Sequence, residues 1–325
     1  MRIRQSFWSS LLHSEIKQII PSRLRLRAPG YVLAAAIQLL WLSAASTAFA
    51  GSATWNLNPG GGPDCPGFPT SACWGDAANW TPATVPNGPG DTATFDVSNA
   101  TAVLVGDQFA TPFEVNGIVF SADASAFTIN VATFADFDEF LTISGVGITN
   151  NSGIVQNFVA GEFETEAAVI QFTNSATAGH LTVFTNINYG LANHTDFFDT
   201  SSAGSATFIN DGGPVGLTLG SFTSFFDSAM ADNAVLIANG GSPGWAFSGG
   251  KTIFNATSDA GNATLIANPS SNGGPGGSIE FFADSTGSHS RVEIFGNGNL
   301  DISAHNAPGV TIGSLEGGRF GFARS

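Results

Sequence analysis

From about residue 95 onward, short runs rich in Val, Ile, Phe and Thr alternate with turn signals such as Asn116-Gly117, Asn239-Gly240, Asn272-Gly273 and Asn297-Gly298. Short β-branched and aromatic runs bounded by Gly and Asn read as strands, and no helical period interrupts them. The pattern predicts an all-β chain in which one unit recurs. The segments VIQFTNSATAGHLTVF, DFFDTSSAGSATFIN, TSFFDSAMADNAVLIAN, TIFNATSDAGNATLIAN and IEFFADSTGSHSRVEIF each place a small turn between two apolar runs. Aligned on that turn, the matching positions are Gly179, Gly204, Asp232, Gly261 and Gly287, in steps of 25, 28, 29 and 26 residues.

A period of this size suits one coil of a parallel β-solenoid, where inward side chains are buried only against neighbouring coils. A propeller blade needs roughly 40 residues, and an immunoglobulin-like sandwich does not repeat one motif. Strand side chains alternate faces. In Phe197-Phe198, Phe225-Phe226 and Phe281-Phe282 one ring therefore points inward and one outward, and residues 263–268 (ATLIAN) supply the inward positions after the turn. Roughly nine coils over residues 95–320, stacked at about 4.8 Å, form a rod on the order of 45 Å long.

Composition agrees with many turns and an apolar bore. The chain has 40 Gly, 28 Phe against 2 Tyr, 11% charged residues and 43% hydrophobic residues, enough apolar side chain to close a core rather than remain disordered. Net charge is −15, and its distribution matters more than its total. Arg2, Arg4, Lys17, Arg23, Arg25 and Arg27 crowd the N-terminus, which leaves Lys251, Arg291, Arg319 and Arg324 for everything after residue 50. Nucleic-acid binding needs clustered cations, so no nucleic-acid partner is expected.

The basic stretch to Arg27, the apolar run Tyr31–Leu42 and the small residues of STAFA compose a secretory signal, with Ala48 and Ala50 at the cleavage positions. Residues 1–50 are then a helical signal segment, the only part expected to meet a membrane, and the product is secreted or held at the cell surface. Its uncleaved alternative is a membrane anchor, since Tyr31–Ala50 is about the length a bilayer core requires. In an oxidising compartment the two cysteines, Cys65 and Cys73, would close a small disulfide loop, worth roughly 2.5 kcal/mol. Trp55, Trp74 and Trp80 read as an N-terminal cap over the first coil, so the organisation runs signal 1–50, cap 51–94, coils 95–320 and a short tail 321–325.

The segment WGDAANWTPATVPNGPGDTATF (Trp74 to Phe95) resembles the opening of bacterial autotransporter-associated β-strand repeat proteins. So do EVNGIVFSADASAFTINV, LTISGVGITNNSGIVQNF and GNGNLDISAHNAPGVTIGSLEG. The resemblance implies a single-stranded right-handed parallel β-helix exported as a passenger, structural or adhesin-like, contacting a surface, glycan or protein ligand. It carries no catalytic residues over. Similar chains continue with further strands after GSLEG, whereas this one ends GRFGFARS, which reads as a truncated frame whose open edge would favour end-to-end self-association.

The main alternative is a carbohydrate-active enzyme or glycan-binding module on the same scaffold. Carboxylate hydrolysis needs two acids on one cleft. Asp136, Asp138 and Glu139 are the densest acidic cluster, yet they alternate with Phe134, Phe137 and Phe140 and read as a solvated turn beside a strand. The repeats supply Lys251 and Arg291, about 40 residues apart, and His180, His194, His289 and His305 fall in separate repeats. No nucleophile elbow, phosphate loop or zinc-spaced set occurs. No catalytic, metal or cofactor residue is therefore expected, beyond weak Ca²⁺ binding by turn Asp and Asn oxygens. Phe rather than Trp or Tyr dominates the repeats, which favours core over a sugar platform.

Overall fold

The computed structural model describes residues 51–60, 72–106, 112–132, 138–161, 166–188, 192–214, 219–243, 248–270 and 273–318. The chain divides into two units, Met1–Thr47 and Ala48–Ser325; the first, with the signal segment and with Ala48 and Ala50 beyond it, lies outside the described residues. In the second unit the described residues are almost all strand and turn, with one short 3-10 turn at Ala77–Asn79.

Strands alternate between two parallel sheets, one of eleven strands and one of ten. Ala168–Phe172, His194–Phe197, Phe222–Phe225, Lys251–Phe254 and Ser278–Phe281 are neighbours in the first sheet. His180–Asn186, Ser205–Asn210, Val235–Ala238, Thr264–Ala267 and Arg291–Phe295 are neighbours in the second. A third line of parallel contacts, one residue wide, joins Thr177, Ser202, Met230, Asp259 and Thr286. The result is a parallel β-solenoid of about eight turns.

The register explains why the sequence repeats. Phe172, Phe197, Phe225, Phe254 and Phe281 are successive partners in the first sheet, all fully buried. Their ring centroids are 4.7, 4.8, 4.9 and 4.8 Å apart, the spacing of the strands themselves. Phe158, Phe184 and Phe208 repeat the arrangement in the second sheet, at 4.8 and 4.7 Å. Each stacked pair adds about 0.5–1.5 kcal/mol to what burial of the ring supplies. The outward members of the double-Phe motifs also stack, Phe198 on Phe226 at 4.9 Å.

In the coils from Ala168 onward, two tight corners between the sheets take left-handed backbone. At the first, Asn174, Asp199, Asp227, Ala256 and Ala283 have φ between 52° and 57°. Asp199 there accepts a hydrogen bond from the Asn174 N–H at 2.8 Å, and Asp227 one from the Asp199 N–H at 3.1 Å, so at these two corners an acidic side chain ties its coil to the one before it. At the second corner Gly179, Gly204, Asp232 and Gly261 have φ of 78°, 60°, 51° and 60°. The fifth repeat departs from the sequence alignment: Ser288, with φ 45°, takes this position and Gly287 precedes it. The hydroxyl or carboxylate two residues earlier sets the register, through Thr177 to Gly179, Ser202 to Gly204, Asp259 to Gly261 and Thr286 to Ser288.

Asn116-Gly117 is also not a turn. It lies inside the strand Phe113–Phe120, at a register shift against Glu139–Asn150. A Cβ on Gly117 would come within 2.6 Å of the Val146 side chain, so the glycine serves a close approach. At the N-terminal end Trp55, Trp74 and Trp80 are buried together; Trp55 and Trp74 lie 4.9 and 5.0 Å from Trp80, and all three rings approach Phe95. Ala53–Trp55 pairs antiparallel with Trp80–Thr81 there and parallel with Gly88–Phe95.

Candidate functional site

Lys251, Glu280 and Asp301 lie together on the outer face of the first sheet. Lys251, Ser278 and Asn299 are successive partners in one outward row, and Glu280 and Asp301 are partners in the next. Parallel pairing holds each such pair of Cα atoms about 4.8 Å apart. Together with Gly249, Pro275, Gly276, Asn297 and Gly298 these residues line a groove of about 510 Å³.

The groove exists because the loops entering the strands carry glycine. A Cβ on Gly249 would lie 2.1 Å from the Gly276 carbonyl oxygen, and one on Gly276 would lie 2.2 Å from that of Asn297. No other residue permits so close a passage of backbone over backbone. The loop walls are pinned: Asn297 Oδ1 accepts from the Ser270 N–H at 2.9 Å and Asn297 Nδ2 donates to the Gly274 carbonyl at 2.8 Å.

Within the groove Lys251 Nζ meets Glu280 Oε1 at 2.8 Å. Glu280 is buried. The Asp301 carboxyl is held below its ordinary pKa, first by the Ser303 backbone N–H at 2.8 Å, then by the Ser303 side chain and the charge of Lys251. The site thus holds one cation, two carboxylates and the polar groups of Ser278 and Asn299. It can both donate and accept hydrogen bonds from one rigid floor.

A second polar group lies on the same face. His194 stacks on Phe222 at 4.4 Å, its Nδ1 is 2.8 Å from the Ala192 carbonyl oxygen and its Nε2 is 3.4 Å from Asp196 Oδ2. Burial is the largest single influence and disfavours the charged ring. Asp196, the Ala192 carbonyl and Asp138 together outweigh it, so the pKa of His194 stands above its ordinary value. Both ring nitrogens face acceptors, which suits the imidazolium.

Among the residues singled out in the sequence, Lys251 and Arg291 are not brought together. Arg291 is in the second sheet, bonded to Glu316 at 2.7 Å and Glu293 at 3.0 Å. Glu139 is not solvated as the sequence suggested but buried, because it opens the long strand Glu139–Asn150 and its Cγ would lie 3.5 Å from a Cβ on Gly106. Asp138 is exposed, and Asp136 lies outside the described residues. His180 and His289 are exposed, while both His305 ring nitrogens lie 2.6 Å from backbone carbonyls. Cys73 is buried and disulfide-bonded; Cys65, the other cysteine, lies outside the described residues. Among the described residues no three His, Cys, Asp or Glu side chains converge as metal ligands.

Sequence reasoning missed Glu280 and Asp301 as a pair. They are 21 residues apart, fewer than the steps between the repeat turns, and no local motif joins them. The signal was the recurring Gly-Gly or Asn-Gly before Lys251, Ser278 and Asn299, which marks equivalent strand entrances.

No family model, curated protein or solved structure matches this chain.

Proposed function

We propose that the chain is an exported, structural or adhesin-like β-solenoid that presents a repetitive surface for contact with cells or matrix. The observation that supports this reading is the unbroken register of the first sheet from Ala168 to Phe281. Equivalent residues recur coil upon coil: Thr200, Ser228, Thr257 and Asp284 form an exposed polar row along the first corner, while Phe172, Phe197, Phe225, Phe254 and Phe281 form a stack inside. The polar corner residues bond neighbouring coils, which stabilises the display rather than arranging reactive groups.

In this reading the coil is right-handed, as nearly all parallel strand crossovers are, and the Trp55–Trp74–Trp80 cluster caps its first turn. The basic and apolar leader supports export, and the likeness to autotransporter-associated repeats supports a passenger role. Beads coated with the protein should be retained, saturably, by cells or by immobilised matrix components. Absence of retention on every such surface overturns the proposal.

The groove favours a second reading, a glycan-binding or carbohydrate-active module, because Glu280 and Asp301 share one cleft with Lys251. Release of reducing ends or unsaturated products from a polysaccharide panel would identify an enzyme; retention without turnover would identify a binding module.

A further inference from the structure

We infer that the groove over Lys251, Glu280 and Asp301 is a binding site for a neutral, hydroxyl-rich saccharide. This rests on the contact-surface reading, to which it gives a location and a class of ligand.

Size and construction agree with such a ligand. At about 510 Å³ the groove falls within the range of small-molecule sites. Its polar groups stand on paired strands and its walls are held by backbone and side-chain bonds of Asn297, so little ordering remains to be done on binding.

Charge selects among saccharides. Lys251 and Glu280 are in contact at 2.8 Å and largely neutralise each other. Asp301 is left as a carboxylate whose partners are the Ser303 groups and the more distant Lys251. A uronate or sulfated sugar would bring a second anion beside Asp301, on a chain whose net charge is −15, and would compete with Glu280 for the one ammonium. A cationic amino-sugar polymer would be drawn to the acidic chain as a whole, so its binding would not report on the groove. Sugar hydroxyls suit every group present: each can donate to Asp301 or Glu280 and accept from Lys251 or the Asn299 amide. Among the described residues no Trp or Tyr lines the groove, and the groups that do line it recognise a sugar by hydrogen bonding.

The test is affinity electrophoresis of the whole protein through soluble neutral glucan, mannan and galactan, with polygalacturonate and alginate as the charged comparisons. At least one neutral polymer should retard the protein, and the charged ones should not. Asp301→Asn and Glu280→Gln should each weaken that retardation by about tenfold or more, the loss expected when a charged hydrogen bond goes. Arg291→Gln, in the second sheet, should leave it unchanged. Circular dichroism checks that each variant is folded; if Glu280→Gln unfolds because Lys251 loses its partner, Asp301→Asn still decides.

Failure of every neutral polymer to bind, tighter binding of a polyuronate, or retardation unaffected by Asp301→Asn would overturn the inference. Adhesion of coated beads separates this from the broader reading. Beads that adhere equally with and without Asp301→Asn place the contact surface elsewhere and sink the groove alone. Neutral-polymer binding without adhesion to any cell or matrix sinks the contact-surface reading instead.

Discussion

Thr195, Thr223 and Thr252 occupy one inward position on three successive coils, and all three are fully buried, yet they do not have the same surroundings. Thr195 Oγ1 donates to Asn186 Oδ1 at 3.0 Å and Thr223 Oγ1 to Asn210 Oδ1 at 2.9 Å. Asn186 Nδ2 also donates to Asn210 Oδ1 at 2.8 Å, so a short polar ladder runs through the apolar bore. It stops there, because Ala238 stands opposite Asn210 in the next coil. Thr252 Oγ1 has no hydrogen-bond partner among the described residues. Thr223→Val removes a made hydrogen bond and should destabilise by about 1 kcal/mol. Thr252→Val removes a buried hydroxyl whose desolvation, about 1–3 kcal/mol, nothing offsets, and adds a methyl group to the core. It should stabilise by about 1 kcal/mol. The two chemically identical changes thus differ by about 2 kcal/mol in opposite directions. Urea unfolding read by circular dichroism gives both values, provided the slope is unchanged between variants. Equal destabilisation by the two substitutions would refute the ladder and the register it depends on.

Other expectations follow from the stack, the corners and the histidine. Phe225→Ala opens a hole between Phe197 and Phe254 and should cost about 3–5 kcal/mol in the same assay; a loss below about 1 kcal/mol would mean that the ring is not packed as described. Ala256 is exposed at φ 53°, where a non-glycine residue costs about 1–2 kcal/mol, so Ala256→Gly should raise stability by about 0.5 kcal/mol after glycine's entropy is deducted. A loss would show that this corner is not left-handed. The raised pKa of His194 means that the folded state holds its proton more tightly than the unfolded chain does. That contribution is fully present below the unfolded value, about 6.5, and is lost as pH rises through the higher folded value. Melting temperatures from about pH 5.5 to 8.5 should decline across that window in the parent and less so in Asp196→Asn; identical profiles would contradict the pairing.

The solenoid was legible because its determinants are local and repeated. A Phe before each corner, doubled in three of the five repeats, and a small residue after it recur in steps that match a coil, and stacking of identical rings needs only that periodicity. Errors arose where one residue type serves two purposes. Gly287 attracted the alignment because glycine usually takes the left-handed position, but the Thr286 hydroxyl and the following backbone N–H place Ser288 there. Asn116-Gly117 looked like a turn, yet this glycine answers a close approach within a strand. Glu139 alternates with Phe residues as a surface acid would, and its burial depends on strands from other coils. The groove was invisible for the same reason: Lys251, Glu280 and Asp301 meet only through pairing across coils, and the loops that bound it vary in length from one coil to the next.

The stacking register is the claim on which the rest depends, and a cysteine pair tests it directly. Ser228 and Thr257 are exposed corner residues on adjacent coils, with hydroxyl oxygens 3.1 Å apart, and adjacent parallel Cα atoms at about 4.8 Å fall within disulfide reach. Asp284 holds the equivalent place one coil further on, since its N–H bonds Ala256 as that of Thr257 bonds Asp227. Under mild oxidation, Ser228→Cys with Thr257→Cys should form an intramolecular disulfide in high yield, while Ser228→Cys with Asp284→Cys, about two strand spacings apart, should not. Crosslinking of the second pair in preference to the first would contradict the register and the parallel solenoid built on it.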